Sequence, residues 1–129
     1  METKKKDIRH FRDLKVYEMA FAVAMRIYNV SKTFPSEEKY SLVDQIRRSS
    51  RSVCSNLAEA WRKRRYFAVF KNKITDSMME ASETQCWLEF CLACNYIDEA
   101  LFKDLDDEYE KIIAMLNAME RNADKFCYN

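Results

Sequence analysis

The chain predicts an all-α fold, an antiparallel up-down four-helix bundle. Three observations carry that expectation. The sequence has no glycine and a single proline, Pro35, so the tight turns of hairpins and sheets lack their usual residues. Ala, Leu, Met, Glu, Lys and Arg, all strong helix formers, are abundant. Four long segments repeat apolar residues at helical spacing. At 129 residues the chain reads as one domain spanning 1–129 with one core.

Residues 1–12 read as a flexible basic tail. The first helix is expected from about Leu14 to Phe34, with Asp13 as its N-cap. Its core face is read as Tyr17, Ala20, Phe21, Ala24, Tyr28 and Ser31. The break is Phe34-Pro35-Ser36-Glu37-Glu38, because proline disfavours helix at the residue before it and Ser36 caps a short turn. The second helix is expected over about 41–62. At about 100° per residue, Leu42, Val43, Ile46, Ser50, Val53, Leu57 and Trp61 fall in one sector and the arginines in another. Lys63-Arg64-Arg65 connects to a third helix, about 66–96, with Phe67, Phe70, Ile74, Met78, Ala81, Gln85, Leu88 and Leu92 inward. Asp98 caps the fourth, about 99–125, where Leu105, Tyr109, Ile112, Ile113, Leu116 and Met119 face in.

Two helices carry more apolar surface than one core needs. The first shows a flanking stripe of Val16, Met19, Val23 and Val30. The third shows Met79, Cys86, Trp87, Phe90 and Cys94 roughly opposite its core stripe. A surface helix is polar there, so these nine residues are read as the oligomer interface.

Charge is divided by position. Residues 1–75 carry 18 Lys+Arg against 8 Asp+Glu, and residues 76–129 carry 4 against 13, which leaves the chain at +1. The basic half peaks at Arg47, Arg48, Arg51, Arg62, Lys63, Arg64 and Arg65. Clustered arginine is the footprint of a phosphate-binding surface. It equally fits self-assembly through opposite poles, the basic second helix meeting the acidic fourth within or between subunits.

Catalysis lacks its parts. The sole histidine, His10, lies in the expected tail, and there is no glycine-rich phosphate loop and no helical Glu-x-x-His metal pair. Glu59 and Asn56 read as packing residues. Cys54, Cys86, Cys91, Cys94 and Cys127 have no disulfide-framework spacing, and the charged start has no apolar segment of an export signal. They read as reduced thiols of a cytoplasmic protein, binding no metal or cofactor. No window approaches the roughly 18 apolar residues of a membrane span.

Several runs occur together in order: Phe11-Arg12-Asp13-Leu14-Lys15-Val16-Tyr17; Phe34-Pro35-x-Glu37-Glu38; Leu42-x-x-Gln45-Ile46-Arg47-Arg48-Ser49; and Ser52-Val53-x-Ser55-Asn56-Leu57-Ala58-Glu59. In this set the chain resembles the bacterial four-helix-bundle family named after the 23S rRNA intervening-sequence protein, from Arg9 to about Met119. The resemblance implies a bundle that forms a homopentameric ring. Some members of that family are encoded within ribosomal RNA insertions, and a related branch binds nucleic acid and a reverse transcriptase through basic ring surfaces, so the resemblance also implies RNA or DNA, with a ribosomal RNA or a reverse transcriptase, as a partner to test. Cys54 stands where many members have proline, and Ala60 where many have glycine. Both exchanges favour a straighter second helix. The sequence thus supports a non-enzymatic oligomeric scaffold or interaction protein, or alternatively a nucleic-acid binder acting through a basic ring surface.

Overall fold

A computed structural model describes residues 7–128. A 3-10 turn, Phe11–Asp13, precedes helices α1 (Lys15–Ser31), α2 (Leu42–Arg62), α3 (Phe67–Ala93), α4 (Glu99–Arg121) and a final turn α5 (Ala123–Phe126); a second 3-10 turn, Ser36–Glu38, lies between α1 and α2. Helix α1 packs on α2, α2 on α3, α3 on α4 and α4 on α1, while the backbones of the diagonal pairs α1/α3 and α2/α4 do not adjoin. Neighbours in sequence are therefore neighbours in space, as short joints require of antiparallel helices.

Buried positions alternate in steps of four and three along every helix. They are Val16, Ala20, Val23 and Ile27 on α1, and Ile46, Ser50, Val53, Leu57 and Ala60 on α2. On α3 they run Phe70, Ile74, Ser77, Ala81, Thr84, Leu88 and Cys91, and on α4 Leu105, Tyr109, Ile112, Leu116 and Met119, continuing to Ala123. A mean step of 3.5 residues is the repeat of helices crossing at about 20° with interlocking side chains. Small residues on α2 and α3 let those two helices approach closely. Ser77 donates its hydroxyl to the Val53 carbonyl at 2.7 Å, and Thr84 donates to Ser49 Oγ at 2.8 Å.

The helix ends have identifiable causes. Asp98 caps α4 by accepting from the Leu101 amide at 2.8 Å. Helix α3 ends in a Schellman pair, Tyr96 N–H to the Cys91 carbonyl and Asn95 N–H to that of Leu92, both 2.9 Å. Asn95 takes φ 62°, the position glycine usually fills and that asparagine tolerates. The turn Ser36–Glu38 is held by Glu38, which accepts from Ser41 at 2.6 Å and from the Tyr96 hydroxyl at 2.8 Å. These donors lower the Glu38 carboxyl below its usual range.

Several expectations need correction. The tail does not extend to residue 12: His10 Nδ1 accepts from Arg12 N–H, and Asp13 accepts from the His10 amide, which closes a capping box around Phe11–Asp13. Residues 1–6 of that tail lie outside the described residues. Asp13 caps this turn, and Leu14 stands at the N-cap of α1. Helix α1 is also rotated from its expected face. Val16 and Val23, expected at a subunit interface, are 3% and 1% exposed inside their own core, whereas Phe21, expected inside, is 51% exposed. Both stripes of α1 are apolar, so polarity could not fix its phase, and the contacts with α2 and α4 chose the aliphatic row. Phe67 is 50% exposed, because the core stripe of α3 begins at Phe70. Among the described residues no ion pair joins α2 to α4, which lie diagonally across the bundle, so the α2/α4 charge seam is not seen within the chain.

Candidate functional site

The seven basic residues fall into three groups. Arg47 and Arg51 lean toward α1, their guanidinium carbons 4.7 and 5.5 Å from the Tyr28 ring centre. Arg47 is fixed further, its Nε–H donating to Ser31 Oγ at 2.8 Å. Lys32 joins them, its ammonium 4.6 Å from the same ring. Three cations thus gather on one tyrosine, where cation–π attraction offsets part of their mutual repulsion.

Arg48 faces the other way, toward α3. It stands 3.8 Å from Asp44 and lines a polar groove with Gln45, Ser49, Ser52, Glu80 and Glu83. Burial, followed by the charges of Glu83 and Asp76, raises the Glu80 carboxyl above its usual range. A residue in this groove meets negative charge, so Arg48 belongs to a different face from Arg47 and Arg51.

The third group closes the far end of α2, about 22 Å along the helix from Arg47 at 1.5 Å per residue. Arg64 lies 3.6 Å over the Trp61 ring, and its Nε–H donates to the Trp61 carbonyl at 2.8 Å. It therefore caps α2. Arg62 reaches His10 at 3.2 Å. Lys63 and Arg65 are exposed. The structure thus brings Arg47 and Arg51 together, adds Lys32, which sequence reading missed, and separates Arg48 and Arg64 from them. Lys32 was hidden because it sits on a different helix, so spacing along α2 carries no trace of it.

The apolar surface divides in two. On the α1–α2 side a groove of about 360 Å³ is lined by Phe11, Tyr17, Phe21, Ala24, Met25, Arg51, Cys54, Ser55 and Ala58. Phe21 and Met25, 51% and 43% exposed, are its open residues. Sequence reading placed the interface on Val16, Met19, Val23 and Val30 instead; Met19 and Val30 are half-buried against their own core. On α3, Met79 and Phe90 are 58% and 52% exposed, Cys86 and Cys94 are exposed, and Trp87 is half-buried with its ring 5.9 Å from that of Phe90. The α3 stripe therefore lies at the surface where the sequence put it.

All five cysteines are free. Burial pushes the Cys54 thiol up to about 11 and the Cys91 thiol up to about 12, so neither is a ready nucleophile or metal ligand. Among the described residues, no group of three or more His, Cys, Asp or Glu side chains could hold a metal ion, and no helix is long and apolar enough to cross a membrane. Asn56 donates to the Ser52 carbonyl at 2.9 Å and Glu59 accepts from Lys73 at 3.0 Å. Both contacts are structural ones. Helix α2 runs unbroken past Cys54 and Ala60.

No curated protein matches this chain. Among solved structures, it is similar to a protein with unknown function from the S23 ribosomal protein family of Bacteroides thetaiotaomicron VPI-5482. The two are 29% identical with a TM-score of 0.74, over 82% of this chain and 95% of that one. A family model described as 23S rRNA-intervening sequence protein matches residues 12–118, and with that span covering most of the bundle the chain belongs to this family.

Proposed function

We propose that the protein is a non-enzymatic cytoplasmic scaffold that assembles with copies of itself into a ring of five. The observation that carries this reading is the presence of two different apolar faces on one bundle, the α1–α2 groove around Phe21 and Met25 and the α3 ridge of Met79 and Phe90. A twofold dimer needs one self-complementary patch. Two unlike patches suit a head-to-tail contact, which forms a ring when its rotation closes. The number five comes from the family resemblance. Solution mass by light scattering tests the reading: it expects five chains, and a 15.5 kDa particle at micromolar concentration would end it.

A second reading has its own support. Arg47, Arg51 and Lys32 have no carboxylate within ion-pair distance among the described residues. Unneutralised arginines favour phosphate, and a ring would repeat them and raise avidity without new contacts. In this reading the scaffold holds structured RNA or DNA, with a ribosomal RNA or a reverse transcriptase as associated partner. Titration with RNA and DNA duplexes at several salt concentrations tests it. Binding that falls steeply with salt supports it, and no binding at low salt refutes it.

A further inference from the structure

One cleft on the basic side is distinct from the apolar groove. It lies where the end of α1, the turn Ser36–Glu38 and the start of α2 meet, and has a volume of about 320 Å³. Lys32, Lys39 and Arg47 line it on one chemical theme, and Phe34, Pro35 and Val43 line it on another. It is thus a cleft with three cations and an apolar wall, and no acidic side chain lines it.

Its polar atoms are turned toward donation. Arg47 gives its Nε–H to Ser31 Oγ, and Ser31 in turn donates to the Tyr28 carbonyl at 2.8 Å. That chain holds the guanidinium in place and leaves its two terminal amino groups without a protein hydrogen bond among the described residues. The last carbonyls of α1 would repel an anion. Those of Asn29, Val30 and Ser31 are occupied by the amides of Lys32, Thr33 and Phe34 at 3.3, 3.0 and 3.2 Å. Of the two acids in the adjoining turn, Glu38 is engaged by Ser41 and Tyr96, and the exposed Glu37 does not line the cleft. No ion pair neutralises Lys32, Lys39 or Arg47 among the described residues.

We propose that this cleft binds a nucleoside di- or triphosphate. A single phosphate is satisfied by one arginine and one lysine, and a third cation suits two or more adjacent phosphates. The wall of Phe34, Pro35 and Val43 supplies the apolar surface that a base requires. The volume lies at the lower end of the range of about 300–1,000 Å³ for small-ligand sites. Lys32 and Lys39 are exposed, so the phosphates enter from solvent without rearrangement of the core.

Calorimetric titration of the full-length protein in magnesium-free, low-salt buffer tests the proposal, with ATP, tripolyphosphate and adenosine as probes. ATP is expected to bind more tightly than tripolyphosphate, and adenosine more weakly than either. The double variant Lys32→Gln/Lys39→Gln should raise the ATP dissociation constant at least about tenfold, because it removes two charge-assisted contacts. Its circular dichroism and solution mass should stay those of wild type, since both side chains are exposed. Arg62→Gln/Arg65→Gln, at the other end of α2, should leave ATP affinity unchanged. Absence of ATP binding, equal affinity for ATP and tripolyphosphate, or an unchanged constant in the Lys32/Lys39 variant would each overturn it. Duplex binding is read separately through Arg51 and Arg48, so failure here and failure of the nucleic-acid reading are distinguishable.

Discussion

Ser77 on α3 gives its hydroxyl proton to the backbone carbonyl of Val53 on α2 at 2.7 Å, in a fully buried position. The contact ties the two helices together side chain to backbone, and it accounts for a polar residue in the core stripe. Ser77→Ala should lower stability by about 1 kcal/mol, the net worth of one buried hydrogen bond. Ser77→Leu should cost about 1–3 kcal/mol, because the added carbons must force the helices apart. Urea denaturation of both variants reads the difference, and the ordering Leu worse than Ala is the outcome expected.

The hydroxyl of Tyr109 is buried among core side chains beside Thr84, whose own hydroxyl proton goes to Ser49 or the Glu80 carbonyl, so no well-formed hydrogen bond reaches it among the described residues. Burial raises its pKa, so it stays neutral at any working pH. Tyr109→Phe removes an unsatisfied buried group while keeping the ring. It should leave stability unchanged or raise it by about 1 kcal/mol. Thermal unfolding of the variant checks this, and a clear drop in the midpoint would show that the hydroxyl is satisfied after all.

The left-handed Asn95 that ends α3 carries a separate expectation. Asn95→Ala should destabilise by about 1 kcal/mol, since a β-carbon without the asparagine amide is disfavoured at positive φ. Asn95→Gly should not destabilise, because glycine reaches φ 62° without steric cost. Chemical denaturation of the pair separates this from a side-chain contact, which glycine would also lose.

How much of this was legible in the sequence varied with each helix. Helix α2 has apolar residues on one side and arginines on the other, so its predicted core residues Leu42, Val43, Ile46, Ser50, Val53, Leu57 and Trp61 are all buried. Helices α1 and α3 are apolar on more than one side, so their phase was set by packing. The lost signal was the strict alternation of four and three along 70–91. Ser77 and Thr84 obey it, but they are polar and do not register in a count of apolar residues. The basic site was half legible. Arg47 and Arg51 share a face of one helix, whereas Lys32 and Lys39 come to Arg47 through the turn at Pro35, which no periodicity encodes.

For nucleic-acid binding, the division of the arginines sharpens the mutational expectation. Arg51→Glu should weaken duplex binding about equally for all sequences and flatten its dependence on salt, as phosphate contacts do. Arg48→Glu should have the smaller effect, because Arg48 lies in the groove with Glu80 and Glu83. Fluorescence anisotropy across a salt series measures both slopes, and equal losses for the two variants would contradict the division.

In the proposed ring, two unlike apolar faces join copies of this chain. Light scattering coupled to size exclusion, on wild type, Phe90→Glu and Phe21→Glu, tests it most directly. Both residues are about half exposed, so a charge at either position should leave helical circular dichroism intact. Wild type should have the mass of five chains, and each variant should run as single chains of 15.5 kDa. The two variants mixed together should form a dimer through their one remaining pair of intact faces. A wild-type monomer, or an assembly indifferent to both substitutions, would contradict it.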